Sequence, residues 1–169
     1  MFEIVKFPNP ILRNQMPPFD FVNPIMDPKE LEKRMIDTMI KNCGLGLSAN
    51  QCGIETSVFV MGHPQMPENS TAFFNPKIVA NTKELKDLDE GCLSFPGIYV
   101  NIKRPTAIKA QWQDSDGNLC EGEFSGYECK CFLHEYDHLQ GIVFSDRVSQ
   151  LKWAMAMKKF RSQKRKYNA

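Results

Sequence analysis

Apolar residues return at three- and four-residue intervals from Leu31 to Ile40, at Leu31, Met35, Ile36, Met39 and Ile40. That spacing paints one face of a helix. Asp27 stands where an N-cap belongs, Pro28 suits the first helical position, and Glu30 falls in the first turn. Gly44, just past Cys43, marks the stop. The period then changes. Thr56–Met61, Ala72–Ala80, Ile98–Ile102 and Thr106–Gln113 are rich in β-branched and aromatic residues and punctuated by Pro, Gly and Asn, which predicts strands. Asp114-Ser115-Asp116-Gly117-Asn118 predicts a hairpin turn into a further strand over Leu119–Phe124. Helical spacing resumes over Tyr127–Leu139 and from Gln150 to about Lys164. A helix, then strands, then helices is an α+β order rather than the regular alternation of a doubly wound sheet. No repeat, low-complexity stretch or linker divides the chain. One domain is expected, with a body over 1–150 and a C-terminal helix and tail over 151–169 belonging to the same unit.

Composition narrows the class. With 169 residues, 42% of them hydrophobic, the chain builds a sizeable core unaided. A net charge of +1 with 24% charged residues excludes wholesale disorder and a chain given over to nucleic acid. The charge is unevenly placed. Seven of the 21 Lys and Arg residues, and none of the 20 acidic ones, lie between Leu151 and Ala169. An acidic body with a basic tail points to a partner for the tail. The opening Met1-Phe2-Glu3-Ile4-Val5-Lys6 has no charged region leading into an apolar run, and no stretch approaches the ~18–20 apolar residues of a membrane span. A cytoplasmic protein without membrane contact is expected. Cys43, Cys52, Cys92, Cys120, Cys129 and Cys131 are irregularly spaced and no secretion signal accompanies them, which favours reduced thiols, one of them a candidate ligand.

The most informative pentapeptide is His134-Glu135-Tyr136-Asp137-His138. Two His four apart on a helix project from one face and reach one metal, while Glu135 sits where a carboxylate takes a proton from an activated water. Chance histidines on a solvated face are the bland alternative, weakened because two of only three His fall here. A catalytic site needs a third protein ligand. Where one protease class has its third His, this chain has Phe144, and no Glu follows Glu135. The third ligand therefore comes from upstream, with His63 and the cysteines as candidates. Cys92 stands out, in Glu90-Gly91-Cys92-Leu93-Ser94, where Gly91 permits close backbone approach. Cys43, Cys129 and Cys131 are more simply small, buried helix residues. A His₂Cys set suits Fe(II), Zn(II), Co(II) or Ni(II).

Gly44-Leu45-Gly46-Leu47-Ser48-Ala49-Asn50-Gln51-Cys52-Gly53 places three glycines and several small residues in ten positions. Such a backbone allows close approach of a ligand, and Gln51 offers an uncharged donor for a developing oxyanion. The stretch lacks the Lys-Ser/Thr ending of a phosphate loop.

Taken in order, Gly44 to Gly53, Glu90 to Ser94 and His134 to His138 resemble the three motifs of the peptide deformylase family, and Pro8-Asn9-Pro10-Ile11-Leu12-Arg13 is similar to the family's opening. The resemblance runs from about Ile4 to Val148, and the spacing matches members without an insertion. It implies an α+β domain of antiparallel or mixed sheets around a central metal-binding helix, with an N-terminal and a C-terminal helix. It implies removal of the N-formyl group from formyl-methionyl nascent chains, releasing formate. Cys92, His134 and His138 would then hold one divalent metal, Fe(II) in the cell, with Zn(II), Ni(II) or Co(II) as substitutes. Glu135 would act as general base on the attacking water and then as acid to the leaving amine. The Gln51 amide and the Leu93 backbone N–H would stabilise the oxyanion, each such donor typically being worth ~10²–10³ in rate. Gly44 and Gly46 would line the substrate backbone, with Leu45, Tyr127 and Cys131 around the methionine side chain. For Tyr127 a place in the core is an equal alternative. Arg104 is expected to pair with Asp137 and brace the metal helix.

Four positions depart from the family pattern. Ser48 replaces an Ala and adds a hydroxyl, Leu133 stands where Gln usually precedes the first His, and Cys129-Lys130 replaces an Ala-Arg pair. The basic tail is expected to reach the ribosome, through rRNA or a ribosomal protein near the exit tunnel, and removal of the residues after Met157 to spare small-peptide activity. A monomer is expected. The competing classes are a metalloprotease that cuts internal bonds and a non-catalytic ribosome-binding protein with a structural metal. The first lacks its downstream ligand here, and the second has no use for Glu135 and Gln51.

Overall fold

The computed structural model describes residues 1–167, with side chains through Gln163. Its elements are α1 (Pro28–Lys41), β1 (Gly46–Ser48), β2 (Val58–His63), β3 (Met66–Asn81), β4 (Leu85–Cys92), β5 (Phe95–Pro105), β6 (Ala107–Gln113), β7 (Leu119–Ser125), α2 (Gly126–Leu139) and α3 (Gln150–Tyr167). Every strand pairing is antiparallel, in a five-stranded sheet of order β1-β2-β3-β6-β7 and a two-stranded sheet of β4 and β5.

The Asp27 side chain accepts from Glu30 N–H at 2.9 Å, a cap typically worth ~1 kcal/mol. Leu31, Met35 and Met39 of α1 are fully buried, with Ile36 and Ile40 packed beside them. The helix closes on Asn42, and the left-handed turn falls on Cys43 (φ 54°) rather than on Gly44. Cys43 is consequently exposed, not a small buried helix residue.

The five-stranded sheet is covered on both faces around β2, by α1 and α2, so β2 begins Val58-Phe59-Val60-Met61 without a polar break, whereas β7 at the edge alternates exposed and half-buried residues. Val58, Val60, Ala72 and Phe74 pack against α1. Phe59, Phe73, Ile108 and Ala110 face the other way, onto Cys129, Phe132 and Leu133 of α2. Alternation along the strands thus assigns each residue to one helix or the other. The helix α2 is central, touching β1, β2, β5, β6 and β7.

Two elements carry no periodic signature. In β4, Leu85-Lys86-Asp87-Leu88-Asp89-Glu90 is dominated by charge because its only partner is β5 and most of its side chains face solvent. β1 is three residues long and buried throughout.

A third cluster joins Phe95, Ile98, Val100 and Ile102 of β5 to Leu12, Val143 and Phe144, and α3 lays Trp153, Met157 and Phe160 on it. Gly97 (φ 77°) makes room for Phe160, since a Cβ there would lie 3.0 Å from the ring. Leu151 and Met155 face outward on α3. The side chains of Lys164, Arg165 and Lys166 in the basic tail, and Asn168 and Ala169, lie outside the described residues. Among the described residues no helix is long and apolar enough to cross a membrane.

Candidate active site

One turn of α2 separates His134 from His138, and their rings lie 5.0 Å apart, centroid to centroid. Cys92 ends β4, where a register shift between Gly91 and Cys92 breaks the ladder with β5. Its Sγ lies 3.2 Å from His138 Nε2. One ligand atom from each of Cys92, His134 and His138 falls within 4.8 Å of the others, the one such group among the described residues. His63 lies at the exposed end of β2, its Nδ1 accepting from Gln65 N–H at 3.2 Å, outside the cluster.

The donor set fits a divalent cation. A thiol and two imidazoles are the ligands of borderline metals, and three protein ligands leave one position open. His134 Nδ1 meets Glu90 Oε2 at 2.9 Å, which fixes the tautomer and leaves Nε2 for the cluster. His138 directs Nε2 at Cys92, and its buried Nδ1 has no hydrogen-bond partner among the described residues. Asn50 secures this second ligand from behind, its amide donating to the His138 carbonyl at 2.8 Å.

Charge is arranged in a buried chain behind the cluster. Arg104 donates to both Glu90 oxygens, at 2.7 and 3.0 Å, and to Asp137 Oδ2 at 2.7 Å. Arg147 closes on Asp137 from the rim of α2. Burial by itself would raise the Glu90 carboxyl, but hydrogen bonds from His134 and Arg104 outweigh it and hold the pKa at about 2. For His138, burial and then the charges of His134 and Arg104 push the imidazole well below its usual value, toward the neutral form that ligates metal. Burial raises Glu135, opposed by the His134 charge and the Ser48 hydrogen bond.

In front of the cluster lies a cleft of about 760 Å³ that both Cys92 and His134 border. Glu135 lines it beside Gly46, where a Cβ would sit 2.5 Å from Glu135 Oε1 and 2.8 Å from Cys131 Sγ. Only glycine allows that approach of β1 to α2. Gln51 accepts the Ser48 backbone N–H at 3.0 Å through Oε1, which turns its amide nitrogen toward Ser94 Oγ (3.1 Å) and Cys92 Sγ (3.4 Å). Leu93, at the tip of the β4–β5 hairpin, forms the wall beside it, with Lys6 Nζ donating to the Leu93 carbonyl at 2.7 Å. Gly44, Leu45, Tyr127 and Cys131 complete the apolar side. Tyr127 is 72% exposed and lies on the cleft, not in the core.

Four residues of this constellation carried no assigned role in the sequence: Glu90, Asn50, Arg147 and Ser48. Glu90 had a signal, its place two residues before Cys92. Asn50 and Ser48 act through the backbone and side chain of α2, 88 and 87 positions away, which no local pattern encodes. Leu133, at the family's Gln position, packs in the core against the sheet instead of offering a hydrogen bond.

An α+β fold whose His₂Cys cluster opens on a cleft beside a buried glutamate defines a metal-dependent hydrolase. The family model for polypeptide deformylase matches residues 1–154. A peptide deformylase of Zymomonas mobilis is 36% identical over 165 residues, covering 94% of this chain and 92% of the relative. The crystal structure of the Thermotoga maritima peptide deformylase shares 38% identity at a TM-score of 0.81, covering 88% of this chain and 98% of that one. That of the Legionella pneumophila enzyme superposes with a TM-score of 0.88 at 30% identity, covering 99% and 98%. The chain belongs to the polypeptide deformylase family.

Proposed function

We propose that this chain hydrolyses the N-formyl group of formyl-methionyl nascent peptides and releases formate, with Cys92, His134 and His138 as the metal ligands and Glu135 as the proton-transferring group. The observation that carries this reading is that Cys92, His134, Glu135 and Gln51 line one cleft, with His138 beside Cys92 and His134 in the same ligand cluster. Fe(II) is the cation we assign in the cell, with Zn(II), Ni(II) and Co(II) as substitutes for the same donor set. A cation held there supplies Lewis acidity, which makes water a nucleophile near neutral pH and polarises a carbonyl.

The protein's own groups do the rest. Leu45, Tyr127 and Cys131 take the methionine side chain, while Gly44 and Gly46 let the peptide backbone lie against β1. Glu135 accepts a proton from the attacking water as the new C–O bond forms at the formyl carbon. It returns that proton to the amine nitrogen as the C–N bond breaks, leaving formate and a free amino terminus. The Gln51 amide, with its orientation set by the Ser48 N–H, donates to the oxyanion, and the Leu93 N–H is its partner in that role. Arg104 and Asp137 hold α2 against β5 so that both imidazoles keep their aim.

We further assign residues 1–150 to the catalytic body and 151–169 to a basic extension of the same unit. The extension docks a cytoplasmic monomer on the ribosome through rRNA or a ribosomal protein near the exit tunnel. Support for this comes from the charge asymmetry of the sequence. The function is tested by incubating anaerobically prepared Fe or Ni protein with formyl-Met-Ala-Ser and its unformylated twin. Formate and intact Met-Ala-Ser are the expected products. Cleavage inside either peptide would mark a protease, and inertness toward both a binding protein.

A further inference from the structure

Ser48 occupies the position where the family pattern places an alanine, and its hydroxyl is fully buried. The hydroxyl lies 2.7 Å from Glu135 Oε2 and 3.0 Å from the Glu135 backbone carbonyl. A hydroxyl has one proton to donate, and a carboxylate is the stronger acceptor of the two. The second carboxylate oxygen is differently placed. Oε1 lies against Gly46, on the wall of the cleft, and has no hydrogen-bond partner among the described residues.

The two oxygens of the glutamate are therefore not equivalent. We propose that Ser48 is a positioning residue for the hydrolysis: it holds Oε2 of Glu135 so that Oε1, beside Gly46, is the oxygen that takes the proton from water and returns it to the amine. The inference rests on the reading of Glu135 as the proton-transferring group. The terminal torsion of a glutamate is broad and roughly two-fold, so packing alone does not choose between its oxygens. A donor fixed at the end of β1 does choose, because Ser48 has its own backbone N–H tied to Gln51. That second bond makes Ser48 a hinge between the oxyanion donor and the base. Its side chain orients one and its backbone the other.

The test is steady-state kinetics of Ser48→Ala, Ser48→Cys and Ser48→Thr on formyl-Met-Ala-Ser, with metal content and melting temperature measured in parallel. Assays are run well below the melting temperature of every variant. Ser48→Ala and Ser48→Cys, the second of which keeps the volume but is a weak donor, are expected to lower kcat roughly tenfold at unchanged KM. Ser48→Thr, which keeps the hydroxyl, is expected to recover most of the loss. The visible spectrum of Co(II)-substituted Ser48→Ala is expected to match that of the parent, since the residue acts on Glu135 and not on the metal ligands. A kcat for Ser48→Ala within twofold of the parent overturns the inference. So does Ser48→Thr falling as far as Ser48→Ala, a loss confined to KM, or an altered Co(II) spectrum. Glu135→Gln run alongside separates this from the reading beneath it. If Glu135→Gln is inert while Ser48→Ala matches the parent, only the role of Ser48 fails; if Glu135→Gln keeps the parent rate, the base assignment itself fails.

Discussion

Cys92 Sγ lies 3.2 Å from His138 Nε2, although 46 positions separate the two residues in the chain. The contact joins the end of a charged two-stranded ribbon to the central helix, and a metal held by both, as proposed, would tie those parts together. Removing the metal therefore acts on stability as well as on activity. Treatment with a strong chelator is expected to abolish formate release and to lower the melting temperature by several degrees. Stoichiometric Zn(II) or Ni(II) is expected to restore both, followed by calorimetry and activity on one sample. Cys92→Ala should show the low melting temperature from the outset and no response to chelator.

Arg104 satisfies two buried carboxylates at once, those of Glu90 and Asp137, and is itself buried. Deleting it strands both. Arg104→Ala is expected to lose about 3–5 kcal/mol of unfolding free energy, the usual cost of breaking a buried pair by removing one partner. Urea denaturation of the metal-loaded protein measures the loss, and equilibrium dialysis should show weakened metal affinity because Glu90 also orients His134. Unchanged stability and metal affinity in Arg104→Ala would remove Arg104 from the support of the site.

Gly46 is required by contact rather than by backbone angle. A methyl group there meets Glu135 Oε1, Glu135 Cγ and Cys131 Sγ, all within 2.8 Å. These are side-chain atoms able to move aside, so Gly46→Ala is expected to fold but to displace the glutamate. A displacement approaching 1 Å costs on the order of 10²-fold in rate. The expected signature is a kcat reduced by at least tenfold with a near-normal metal content.

The proposed separation of the tail from the cleft is best probed with a boundary further along than Met157. Phe160 packs on Gly97, which lines the cleft, so a cut after Met157 also removes a contact behind the cleft wall and is not a clean test of the tail. Truncation after Gln163 removes Lys164, Arg165 and Lys166 while keeping that contact. It is expected to preserve kcat/KM on small formyl peptides and to weaken ribosome binding, with a shallower dependence on salt than the full chain shows. Co-sedimentation over a salt series measures this.

Much of this architecture was legible because periodicity reports burial. Leu31 to Ile40 and Tyr127 to Leu139 read as helices because each buries a stripe, and the sandwiched strands read as strands because both of their faces are apolar. β4 escaped because a ribbon strand with solvent on most of its side chains has no apolar period to detect. The stop of α1 was misplaced by one residue because Cys43, not Gly44, adopts the left-handed conformation. In the site, chemistry-bearing residues with motif spacing were visible, whereas Asn50 and the hydroxyl of Ser48 gain their meaning only from α2 passing over β1 and the turn that follows it, and Arg147 from the chain folding back on Asp137 after α2 ends.

The central claim is that Glu135 moves the proton at a metal held by Cys92, His134 and His138. It is tested most directly by formate release from formyl-Met-Ala-Ser by parent and Glu135→Gln proteins carrying equal, measured amounts of Ni(II). The account predicts that the parent turns over and that Glu135→Gln, with metal bound and fold intact, loses at least ~10²-fold in kcat. Equal turnover by the two proteins, or formate release that persists when Cys92→Ala has left the protein without metal, would contradict it.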